Sequence, residues 1–124
     1  MKNVKIMWFL PAIGVALAIL LLSTLFAFPI QVQNVAHVDK WQHTLAYLVL
    51  SCTFLFAFWK NRTLKSSLSL RIVATCALYG LALEWAQYSF FEYRLFEWAD
   101  ALANMLGAVL GLFVFRLVKR FIGE

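Results

Sequence analysis

Arg94-Leu-Phe-Glu97-Trp-Ala-Asp100-Ala-Leu-Ala-Asn104-Met-Leu-Gly107-Ala-Val-Leu-Gly111 sets an arginine, two carboxylates and an amide at the start of an apolar segment and follows them with two glycines four residues apart. At about 100° per residue, Asp100, Asn104, Gly107 and Gly111 share one helix face. Polar groups and close-packing glycines therefore point the same way, toward other helices rather than toward lipid. The segment predicts a helix buried on this face, and that face needs partners.

Composition sets the class. Of 124 residues 64% are hydrophobic and 14% charged, with a mean hydropathy of +0.80, whereas soluble domains carry about 25% charged residues. The chain reads as an all-α integral membrane protein, a four-transmembrane-helix bundle forming a single domain over residues 1–124. The net charge of +5 does not indicate nucleic acid, because the basic residues sit at span ends, where topology signals reside.

Lys2 and Lys5 precede an uncharged run from Ile6 to Ile30, longer than the roughly 20 residues that cross the hydrocarbon. A cleaved signal peptide shares the basic start. Its apolar region is typically about 7–15 residues, however, and ends at a small-x-small site that this run lacks. The run is therefore read as an uncleaved first span over 6–30, with Pro11 and Pro29 near its ends, where a missing donor costs little. Gln31 to Lys40 reads as a polar connector. The other spans are expected at about 41–59, 70–91 and 100–117, the second flanked by Trp41 and Trp59 as interfacial belts favour. Asn61-Arg62-Thr63 matches the glycosylation sequon, but it lies in a basic loop with Lys60, Lys65 and Arg71, so the match is read as chance.

Nine of the eleven Lys and Arg residues fall at the N-terminus, in that loop or at Arg116, Lys119 and Arg120; only Lys40 and Arg94 lie in the other connectors. The positive-inside rule then predicts both termini in the cytoplasm. Asp39, Lys40, His43, Tyr47, Glu84, Gln87, Arg94, Glu97, Asp100 and Asn104 map to the outer part of the membrane, and this layer holds five of the six acidic residues. Asp39, His43 and Tyr47, spaced i, i+4, i+8, make one polar stripe.

Taken singly, each has a structural account. Glu84 pairs with Arg94 or Lys40, Asn104 bonds a neighbouring carbonyl, and Asp100 caps its helix with Glu97 nearby on the helix dipole. Taken together they form a candidate site, because ionisable residues inside a membrane mark function by default. Cys52 and Cys76 read as small buried apolar residues.

Three blocks, Asp39-Lys40-x-x-His43-x-x-x-Tyr47, Glu84-x-x-Gln87 and Arg94-x-x-Glu97-x-x-Asp100-x-x-x-Asn104-x-x-Gly107-x-x-x-Gly111, resemble the VanZ-like family of small bacterial membrane proteins. The resemblance covers spans two to four. The family's namesake is linked with resistance to the glycopeptide teicoplanin, so the resemblance implies a multi-pass protein of the bacterial inner membrane acting at the cell envelope. Family members often carry a glycine or proline just before the arginine, where this chain has Phe91-Glu92-Tyr93.

Arg94, Lys40 and His43 offer cations, and an arginine fork suits phosphate. The expected function is binding or modifying an envelope lipid or wall-precursor head group, with an effect on glycopeptide susceptibility. Catalysis is left open. His43 oriented by Asp39 offers a base, but no nucleophile falls in the motif blocks. Metal binding by His43, Glu84 and Asp100 ranks lower, since only one histidine is well placed, and no metal or cofactor is assigned. The alternative is a structural or interaction protein whose polar layer only locks the bundle. A transporter requires an oligomer, four spans being too few for inverted halves in a monomer.

Overall fold

The structure, a computed structural model, describes residues 3–24, 36–61, 64–90 and 97–122; within the second segment, side chains are described from residue 40. A 3-10 turn, Ile6–Phe9, leads into α1 (Leu10–Thr24), followed by α2 (Ala36–Asn61), α3 (Ser66–Phe90) and α4 (Trp98–Phe121). All four helical segments are long and apolar enough to cross a membrane. At about 1.5 Å per residue, helices of 24 to 26 residues reach ~36–39 Å, past the ~30 Å hydrocarbon.

Two helix starts differ from the sequence reading. The polar connector expected over 31–40 is helical from Ala36, because no proline or glycine interrupts 36–41. Lys40 therefore sits on the same helix as His43. Similarly, α4 begins at Trp98 with Glu97 as N-cap, so Asp100 lies in the first turn rather than at the cap, and its amide bonds Glu97 O at 3.1 Å. The part of the first span beyond Thr24, Pro29 included, lies outside the described residues.

The helices run up, down, up, down. Lys5 meets Asn61 at one end, while Tyr79 and Gln87 of α3 meet Ala16 and Ser23 of α1 in parallel register. α2 is central and touches the other three helices, whereas α1 does not reach α4. The core is built from Ile19, Tyr47, Leu50, Leu55, Ile72, Val73, Cys76, Ala108, Leu112 and Phe115. Leu17, Leu22, Leu70, Leu78, Phe113 and Leu117 face outward, as a lipid solvent permits.

Candidate functional site

The seam between α2 and α4 fixes the site's height. A Cβ on Gly107 would collide with the Thr44 carbonyl, and one on Gly111 with the Ser51 hydroxyl and the Leu48 carbonyl. The two backbones can approach this closely only because glycine stands at both places. Hydroxyls stitch the same seam: Ser51 Oγ donates to Ala108 O at 2.9 Å, and Thr44 Oγ1 shares its proton between Lys40 O of its own preceding turn at 2.9 Å and Ala103 O of α4 at 3.3 Å. From the third side Gly80 brings α3 in, since a Cβ there would lie 2.9 Å from both Asn104 Cβ and Tyr47 Cε1.

Just above this packing the polar side chains converge. One ring nitrogen of His43 and one carboxylate oxygen each from Glu84 and Asp100 all lie within 4.8 Å of one another. Glu84 and Asp100 are 5% and 6% exposed, and Asn104 is 2% exposed. Asn104 follows Asp100 by one turn, and its Oδ1 accepts a hydrogen bond from His43 Nδ1 at 3.1 Å. With the proton on Nδ1, the ring's lone pair resides on Nε2. At the half-buried rim, Lys40 Nζ stands 3.8 Å from Glu97 Oε2 and 3.9 Å from Asp100 Oδ1. Among the described residues the cluster thus holds three carboxylates and one ammonium.

The rest of the expected layer extends from this group. The Gln87 amide nitrogen donates to Ser23 O at 2.8 Å, tying α3 to α1. Tyr47 is buried one turn deeper, its ring 6.4 Å from that of Tyr79. Asp39 lies in α2 with its side chain outside the described residues, and Arg94 lies outside them altogether.

The sequence reading missed Thr44, Ser51 and Gly80. A signal was present for the first two, because they stand seven residues apart on α2 and present small groups to the glycine face of α4. Asn61 was also undervalued: it is buried, accepts from Lys5 N at 2.6 Å and donates to Lys5 O and Ala57 O.

Four apolar spans enclosing an ionisable cluster near one end define a multi-pass membrane protein. A family model described as VanZ/LLP1 matches residues 3–119, and the chain belongs to that family. The match takes in the first span, which carries none of the motif blocks. No curated protein and no solved structure matches the chain.

Proposed function

We propose that this chain is a bacterial inner-membrane protein with both termini in the cytoplasm. Its polar cluster faces the outer leaflet and binds the phosphate-bearing head group of an envelope lipid, such as a lipid-linked wall precursor. The carrying observation is the segregation of charge. Among the described residues, Lys5, Lys60, Lys65, Arg71, Arg116, Lys119 and Arg120 gather toward one end of the bundle, and Lys40, Glu84, Glu97 and Asp100 toward the other. By the positive-inside rule the first end is cytoplasmic, which puts the cluster where exported lipid carriers display their head groups. The ionisable groups there come from α2, α3 and α4, a costly arrangement for a bundle that only needs to hold together.

The test is lipid identification by native mass spectrometry of the purified protein. A polyprenyl-phosphate or phospholipid should co-purify at fixed stoichiometry, and Arg94→Lys should deplete it at unchanged protein abundance, because lysine keeps the charge but not the fork. Recovery of bulk lipid alone, in proportion to the surrounding membrane, rejects the reading. The structural alternative is favoured by the bonds of Thr44, Ser51 and Asn104 within the seam. It predicts that Lys40→Met and Arg94→Lys change no lipid and no phenotype.

A further inference from the structure

We infer that this chain carries a second lipid site, at the opposite end from the polar cluster and independent of the reading above. The cavity between α1, α2 and α3 seats one acyl chain of an anionic phospholipid, and Arg71 takes its phosphate. The cavity measures about 500 Å³, within the range of ligand pockets. Leu50, Phe54 and Phe58 of α2 and Ile72 and Cys76 of α3 form much of its wall. Along α3 the lining runs from Leu68 to Tyr79, which at about 1.5 Å per residue is ~16 Å, close to half of the ~30 Å hydrocarbon. It therefore has the height of one leaflet, and it occupies the half of the bundle where α3 begins.

The polar groups of the wall decide what the cavity takes. Tyr79 Oη donates to Ala16 O at 2.7 Å, joining α1 to α3 at the cavity's inner end, and Thr75 Oγ1 donates to Arg71 O of its own helix at 2.7 Å. With both hydroxyls spent, the wall offers water little beyond Arg71, and apolar cavities stay dry. An empty cavity would forfeit the dispersion contacts of its lining. An acyl chain from the surrounding leaflet restores them.

Arg71 supplies the selectivity. It lies in the lining near the basic end of the bundle and is exposed, so its long side chain can reach from the wall to head-group level. Lys65, just before α3, adds a cation at the same end. Among the described residues the carboxylates Glu84, Glu97 and Asp100 gather at the other end, which leaves the guanidinium to a phosphate, a partner its fork fits. Basic pockets between membrane helices bind anionic head groups in general. A free phosphate lacks the chain that fills the cavity, and a zwitterionic lipid brings an ammonium beside the cation.

The experiment uses the full-length protein in phosphatidylcholine nanodiscs that contain a trace of lipid with a diazirine on its acyl chain, either phosphatidylglycerol or phosphatidylcholine. After irradiation the labelled residues are mapped by mass spectrometry. Phosphatidylglycerol should label Phe54, Phe58 and Ile72 about fivefold more than phosphatidylcholine does. Arg71→Gln, at an exposed position, should fold and erase that preference. Arg116→Gln, an exposed arginine at the same end on α4, should keep it. Thr75→Trp should fill the cavity and cut labelling of its wall by both lipids. Soluble glycerol phosphate, a head group without a chain, should not compete.

Should Thr75→Trp fail to fold, the wild-type ratio and Arg71→Gln decide. Equal labelling by the two lipids would mean bulk lipid in a gap and overturns the site, as does a preference that survives Arg71→Gln. Competition by glycerol phosphate would assign Arg71 to a free anion, and an unlabelled wall would mean that protein, such as a second copy, covers the cavity; each rejects the proposal. None of these readouts involves Arg94 or the polar cluster, so the two lipid proposals fail separately.

Discussion

The α2–α4 seam and the seat of α1 are both helix contacts in a lipid solvent, yet they are made of different materials. The seam brings backbone against backbone through Gly107 and Gly111, with hydroxyls of α2 donating to carbonyls of α4. α1 is held at a distance by side chains. Asn61 grips Lys5, Tyr79 Oη donates to Ala16 O at 2.7 Å, Gln87 reaches Ser23, and Trp8 and Phe9 meet Phe56 and Phe58 edge to face. Between lipid-immersed helices there is no hydrophobic drive, so association rests on close packing and hydrogen bonds. A contact of the first kind has no slack, and the polar cluster stands on it. A contact of the second kind is spread over separate points, each of which can be lost alone.

The sharpest way to break this contrast is Gly107→Leu. Its Cβ would fall on the Thr44 carbonyl, with Thr44 Cα only 3.1 Å away, so backbone rather than a flexible side chain must move. Overpacking of this kind costs about 3 kcal/mol or more, which should appear as a large drop in the thermal midpoint in detergent. The His43–Asn104 bond should be lost with it. A Gly107→Leu protein as heat-resistant as the parent would show that the seam has slack after all.

Asn61→Ala comes next. Its amide joins the Lys5 backbone to the end of α2 through two bonds, and Lys5 is exposed, so water replaces part of what is lost. The expected cost is about 1 kcal/mol, with faster hydrogen exchange at the Lys5 amide and none at Asn104. Unchanged protection at Lys5 would assign the hold on the N-terminal segment to the aromatic edges instead.

These contrasts also mark what was legible beforehand. The inner face of α4 could be read because Asp100, Asn104, Gly107 and Gly111 are unlike their neighbours, and helical spacing alone puts them together. Four apolar runs between charged ends were equally plain. The start of α2 was not, since polar residues over 36–40 look the same in a loop and in a helix emerging from the membrane. Nor were the partners of Thr44 and Ser51 on α4: a hydroxyl in a membrane helix can bond its own preceding turn alone, as Thr53 and Thr75 do, or reach a neighbour as well, as Thr44 and Ser51 do, and composition does not distinguish the two. The meeting of His43, Glu84 and Asp100 depends on the rotation and height of three helices at once. A single histidine in the sequence therefore carried less weight than it does in space.

Tyr79→Phe tests one of α1's separate points. It removes the hydroxyl from Ala16 O and leaves the ring beside Tyr47. Because Ala16 O lies within a regular helix and keeps its own helical environment, the change should cost only about 0.6 kcal/mol, the average for such bonds between membrane helices. A small fall in melting temperature is expected with the remaining α1 contacts in place. A loss as large as that of Gly107→Leu would mean that α1 is locked as tightly as the seam.

The smallest effect is expected at Gly14, and it bears most directly on the comparison. Gly14 is a helical glycine like Gly107, but a Cβ there meets nothing within 4 Å. Glycine within a helix is about 1 kcal/mol less favourable than alanine in water, so filling the position should relieve backbone entropy and expose only more apolar surface to lipid. Gly14→Leu should accordingly shift stability by no more than about 0.5 kcal/mol, the range of changes away from packed features. Two membrane glycines would then differ by several kcal/mol through their surroundings alone. If Gly14→Leu instead destabilised the protein strongly, some other surface must lie against α1 in the membrane. Cross-linking between copies through a cysteine placed at Leu17 would show whether that surface is a second chain, and the outward face of α1 would have to be redrawn as a contact of the close kind.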